Sequence, residues 1–217
     1  MVFTPILLAT ALASVLSSAA SIPHKSSTSA PAPLHTATYI DTFDNVTTNS
    51  IEAIATHAGY QNNINYSAFQ VANQSKPLAD IIPESLPNLA VTTPETTLLS
   101  GDVSLNPQNT AVKSSAIRYF DLQQLYFACN TAGGQAAADA AIGCGVEVSA
   151  YNVEGEMVGI ASFNYAPAEV VGAQMALAVL PETFVELVNY TVAVATSEVA
   201  ATLTALTIDS VKHVNYW

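Results

Sequence analysis

Between Gly145 and Tyr165 the chain reads GVEVSAYNVEGEMVGIASFNY, and its side chains alternate with a period of two. Val146, Val148 and Ala150 fall on one parity; Glu147, Ser149 and Tyr151 fall on the other. An extended strand points successive side chains to opposite faces, so it sorts this run into an apolar side and a polar side. Glu154-Gly155 supplies a turn, and Val158, Ile160 and Ser162 follow, which predicts a β-hairpin. In FVELVNYTVAVA, Val188, Tyr190, Val192 and Val194 share one parity while Asn189 and Thr191 share the other. SAIRYFDLQQLYFAC and ATLTALTIDSVKHVNYW add further strand-like runs. The pattern predicts an all-β fold, an antiparallel β-sandwich of about eight strands. One segment departs from it: the Ala, Met and Leu of APAEVVGAQMALAVLPE, with Pro at the end, favour a short helix or an irregular connection.

The apolar, small-residue run ILLATALASVLSSAA has the length and the Ala-rich ending of a signal peptide, which sets residues 1–20 apart and predicts a secreted chain, extracellular or in a cell wall. Its n-region carries no Lys or Arg. A membrane anchor needs about 20 apolar residues, more than this serine-interrupted run offers. Residues 21–37, rich in Ser, Thr and Pro, read as a disordered tail, and 38–217 as one β-sandwich domain. Within it, Pro77, Pro83, Pro87, Pro94 and Pro107 forbid long helices and central strands, leaving a long loop region with short strands near Leu89 to Val91.

Five basic residues stand against seventeen acidic ones, a net charge of −12. Phosphate binding needs clustered Lys and Arg, so the charge balance argues against nucleic acid and anionic membrane surfaces as partners. Only 10% of residues are charged, so solubility rests on Ser, Thr, Asn and attached sugar. Four sequons supply attachment points, at Asn45, Asn65, Asn73 and Asn189. The two cysteines, Cys129 and Cys144, enclose a loop of small residues and predict a disulfide in an oxidising compartment.

Acids among apolar residues raise a separate question. Asp209 interrupts ALTIDSVKHV, and Asp41 and Asp44 punctuate TYIDTFDNV near the other end of the domain. If the terminal strands lie side by side, the three carboxylates meet, and either a structural calcium ion or protons must relieve their repulsion. The competing reading is a β-bulge at Asp209, since Leu206 and Ile208 keep one phase and Val211 the other.

IDTFDN, GYQNNINYSAFQV, FDLQQLYFAC, GVEVSAYNVEGEMVG, LPETFVELVNYTV and LTIDSVKHV together resemble small secreted fungal proteins of unassigned activity whose pattern is similar to jelly-roll carbohydrate-binding modules. The resemblance implies a jelly roll, a calcium held by acids near each terminus, and a polysaccharide or glycoprotein partner; it carries over no catalytic residue. Tyr60, Tyr66 and Phe69 are the candidate sugar-facing rings, with core packing as the competing reading. No G-x-S-x-G, H-E-x-x-H, G-x-x-x-x-G-K or G-x-G-x-x-G occurs. The expected role is therefore non-catalytic carbohydrate binding. The alternatives are a cell-surface or host-directed effector protein working through protein contacts, and a glycosidase or lyase built from two of Asp121, Glu147, Glu154 and Glu156.

Overall fold

In the computed structural model the described residues are 35–47, 54–66, 69–73, 81–92, 109–131, 140–197 and 204–217. Residues 1–20, expected to be a signal peptide, most of the expected tail and much of the Pro-rich region lie outside them. The described strands are β1 (Thr36–Asp41), β2 (Ile54–His57), β3 (Tyr60–Gln61), β4 (Ile64–Asn65), β5 (Gln70–Asn73), β6 (Ile81–Ile82), β7 (Asn88–Val91), β8 (Asn109–Lys113), β9 (Tyr119–Thr131), β10 (Cys144–Tyr151), β11 (Met157–Tyr165), β12 (Ala173–Gln174), β13 (Ala176–Val179), β14 (Asn189–Ser197) and β15 (Thr204–Tyr216).

Thirteen of these strands assemble through their period-2 faces into two antiparallel sheets, and β6 and β12 form a parallel pair of their own. One has seven strands, β13-β9-β15-β7-β5-β2, with β1 also pairing β15; the other has six, β11-β10-β14-β8-β4-β3. The 13 residues of β15 are long enough to pair β7 at Thr207 and Ile208 and then β1 from Val211 to Tyr216. The inward parities meet in a shared core. Val146, Val148, Ala150, Tyr190 and Val192 come from the six-stranded sheet, and Leu122, Leu125, Phe127, Leu206 and Ile208 from the seven-stranded one. Rings cross the interface, with Phe120 6.1 Å from Tyr190 and Phe127 6.2 Å from both Phe163 and Tyr165. Burial of these apolar faces is the main favourable term in such a sandwich.

The hairpin expected at Gly145–Tyr165 is β10–β11, turning at Asn152–Glu156. Gly155 there has φ +78°, a conformation that favours glycine, and the Asn152 side-chain oxygen accepts from the amides of Glu154 and Glu156. The bulge expected at Asp209 is present: Asp209 opposes Tyr126, and the next paired residue, Lys212, opposes Gln124. Cys129 and Cys144 are bonded, joining the seven-stranded sheet to the six-stranded one.

Two expectations need correction. The sandwich contains more and shorter strands than eight, because two-residue strands such as β3 and β4 are too short to show a period. The segment expected to be a short helix or irregular connection instead contributes β12 and β13. Residues Ala176–Val179 pair with Phe127 to Gln124 and supply the edge next to β9. Ladder hydrogen bonds to an available partner outweigh a helix preference worth only tenths of a kcal/mol per residue.

Candidate functional site

The alternation of β15 sends Val211, His213 and Asn215 inward and Lys212, Val214 and Tyr216 outward. Two polar residues therefore enter the core, and both need partners. β1 lies antiparallel to β15 with Asp41 opposite Val211, so Asp41 points to the same side. Across the core, Asn62 and Asn63 take positive φ in the two-residue turn joining β3 to β4, the conformation that a tight hairpin turn requires.

These placements close a buried network. Asp41 Oδ1 accepts from Asn62 Nδ2 at 2.7 Å, and Oδ2 accepts from the Tyr66 hydroxyl at 2.7 Å and faces His213 Nε2 at 3.0 Å. His213 Nδ1 lies 2.8 Å from Asn215 Oδ1, while Asn215 Nδ2 donates to the Asn62 carbonyl at 2.7 Å. That last bond fixes the amide with its oxygen toward His213. Both ring nitrogens then face oxygens, Asn215 Oδ1 on one side and Asp41 Oδ2 on the other. Burial first, and then the Asp41 charge, hold the Tyr66 hydroxyl well above its ordinary range. Asp41, Tyr66, His213 and Asn215 are all buried. The network ties both ends of the domain to the facing sheet.

Asp209 has a different surrounding. It points to the outer face of the seven-stranded sheet, yet the segment running from Pro83 to Pro87 lies over it. The Ser85 amide donates to Oδ2 at 2.7 Å, the Ser85 hydroxyl lies within 3.1 Å of both oxygens, and the Ser210 amide donates to Oδ1 at 2.7 Å. Burial pushes the Asp209 carboxyl up to about 7; the serine donors lower it and the nearby Asp44 charge raises it. Asp44 itself accepts from the Asn88 amide through Oδ1.

Asp44 and Asp209 are thus neighbours that sense each other's charge, while Asp41 belongs to the His213 network. Both Asp41 oxygens, both Asp209 oxygens and Asp44 Oδ1 accept hydrogen bonds in this arrangement. Among the described residues no three His, Cys, Asp or Glu side chains converge on a metal position.

Of the three candidate sugar-facing rings, only Tyr60 is open, at 64% exposure; Tyr66 and Phe69 are wholly buried beside Phe43. Both lie in the core, which leaves neither a face for a ligand. Of the candidate acids, Glu154 and Glu156 sit exposed in the hairpin turn, Glu147 is half-buried on β10, and Asp121 is half-buried on β9.

Asp121 belongs to a group that the sequence reading did not single out. On the outer face of the seven-stranded sheet, Tyr119 and Tyr216 are cross-strand partners with ring centroids 4.6 Å apart. Asp121 accepts from the Tyr216 hydroxyl through Oδ2 and from the Glu186 amide through Oδ1. The bond to Asp121 raises the Tyr216 hydroxyl to about 12, ahead of its partial burial. Arg118 and Glu186 are exposed beside the pair. The period-2 parity of RYFDLQQ and VKHVNYW could have marked these tyrosines as outward; the register that joins them could not be read from either segment alone.

No protein-family model matches the chain, and no curated protein does. Among solved structures it is similar to a DUF4465 family protein from Bacteroides caccae, with 14% identity, a TM-score of 0.50, and coverage of 82% of this chain and 98% of that one. It is also similar to an arabinose-bound GH51 α-L-arabinofuranosidase, with 10% identity and a TM-score of 0.42, covering 81% of this chain and 25% of that one. The first likeness concerns the β-sandwich fold alone. The class that fold and site define is a disulfide-bonded all-β sandwich. No helix among the described residues is long and apolar enough to cross a membrane.

Proposed function

We propose that this chain is a secreted, non-catalytic glycoprotein that binds carbohydrate on the outer face of its seven-stranded sheet. The observation that carries the reading is the Tyr119–Tyr216 pair held by Asp121. Flat apolar rings with fixed polar neighbours suit the mixed surface of a sugar ring. Asp121 has acceptor capacity beyond its two bonds, and Lys212, on the outward parity of β15, offers a donor. An acidic protein with few cations favours a neutral polysaccharide or a glycoprotein surface over an anionic one.

The test is a glycan array followed by titration calorimetry with the mature protein. Binding to a defined polysaccharide that falls at least tenfold in Tyr119→Ala and Tyr216→Ala, with unchanged melting temperature, supports the reading. No binding across the array, or binding untouched by both variants, overturns it. A second reading, a surface or effector protein acting through protein contacts, is favoured by the exposed Leu177 and Val179 on edge strand β13 and by Val170 and Val171 before it.

A further inference from the structure

The outer face of the six-stranded sheet carries a row that only the register makes visible. Tyr60 opposes Asn65, Asn65 opposes Val112, Val112 opposes Asn189, Asn189 opposes Tyr151, and Tyr151 opposes Met157. Six strands each contribute one residue. Their immediate neighbours Ile64, Ala111, Tyr190 and Ala150 are buried in the core, so the row faces outward. Asn65 and Asn189 are the acceptors of two sequons, each has a tyrosine as a cross-strand neighbour, and Val112 separates them. Two strand spacings place them on the order of 10 Å apart.

The row is apolar for an open surface. Tyr60 is 64% exposed, Met157 56% and Val112 41%, and Ile160 is exposed in the adjacent row. A stripe of this kind needs a cover or becomes a site of association. We infer that the cover is the chain's own sugar: N-glycans at Asn65 and Asn189 lie along the row, their first sugars packed on Tyr60 and Tyr151, and together shield Val112 and Met157. The inference requires entry into the secretory pathway and stands apart from the carbohydrate-binding reading, which concerns the opposite sheet.

In the attachment step a lipid-pyrophosphate-linked oligosaccharide is the donor. A bond forms from the Asn amide nitrogen to the anomeric carbon, the bond from that carbon to the pyrophosphate oxygen breaks, the amide gives up one proton, and the lipid pyrophosphate leaves. Thr191, third residue of the Asn189 sequon, lies on the same outward parity. The other two sequons lack this setting. Asn45 is in the turn after β1, and Asn73 opposes Asn88 rather than an aromatic residue.

The experiment uses full-length protein secreted from a eukaryotic host. Glycopeptide mass spectrometry is expected to find Asn65 and Asn189 occupied. The folded protein is then trimmed enzymatically to a single N-acetylglucosamine per site, or stripped completely. Trimming is expected to preserve the melting temperature and the association state, because the stacked first sugar remains. Complete stripping is expected to lower the melting temperature by a few degrees, raise binding of an apolar dye and promote self-association. Tyr60→Ala and Tyr151→Ala, still glycosylated, are expected to lose most of the difference between trimmed and stripped forms. Unmodified Asn65 and Asn189 in the secreted protein would overturn the inference. So would full occupancy with dye binding, association and melting unchanged on stripping.

Discussion

Asp41 and His213, 172 positions apart in the chain, face each other at 3.0 Å in the core and leave almost no surface to solvent. The carboxylate accepts in addition from Asn62 and Tyr66. His213→Ala strands a buried carboxylate with one donor fewer. We expect a loss of about 3–5 kcal/mol in chemical denaturation, against about 1–3 kcal/mol for Tyr66→Phe. A loss below about 1 kcal/mol for His213→Ala would show that the pair is not ionic.

Asp209 makes stability depend on pH in the direction opposite to most carboxylates. Burial raises its folded value to about 7 from an ordinary 3.8. The folded state therefore holds a proton that the unfolded chain has released, and its contribution is full below pH 3.8 and fades as pH rises to about 7. The span corresponds to at most roughly 4 kcal/mol. Asp209→Asn is expected to flatten the stability profile between these limits. An unchanged profile in that variant would assign the dependence to another group.

Calcium is expected to have no effect on melting. The Asp209 oxygens are already served by Ser85 and Ser210, and Asp41 by Asn62, Tyr66 and His213. Melting curves with calcium and with chelator should superimpose. A rise of several degrees with calcium, lost in Asp44→Asn, would restore the metal.

Gly159 on β11 is where β11 approaches Phe184. A Cβ there would lie 2.7 Å from Phe184 Cε2 and 3.0 Å from Cδ2, and Phe184 is itself buried. Gly159→Ala is expected to destabilise by about 1–3 kcal/mol through forced repacking. Gly155, whose added Cβ would meet nothing but whose φ is +78°, provides the contrast: there the cost comes from backbone strain.

The period-2 pattern made the long strands legible. Tyr190, Val192 and Val194 are inward as their parity requires, and the phase slip in TIDSVKH is the bulge. The turn at Glu154-Gly155 and the Cys129–Cys144 bond were also readable, since both depend on residues close in sequence. Tyr66 and Phe69 were not assignable in the same way. Both follow the two-residue strand β4, which is too short to set a phase for them.

The sequence by itself determined the strand class, the inward and outward faces of each long strand, the excess of acid and the places where sugar can be attached. These follow from nearest neighbours along the chain and from side-chain alternation. Tertiary structure decided which strands lie side by side, and hence every relation across them. It placed Asp41 with His213 instead of Asp209, Ser85 over Asp209, Tyr119 beside Tyr216, and Asn65 and Asn189 in one row. Register is a property of the pairing, and a shift of one residue would send each of these side chains to the opposite face.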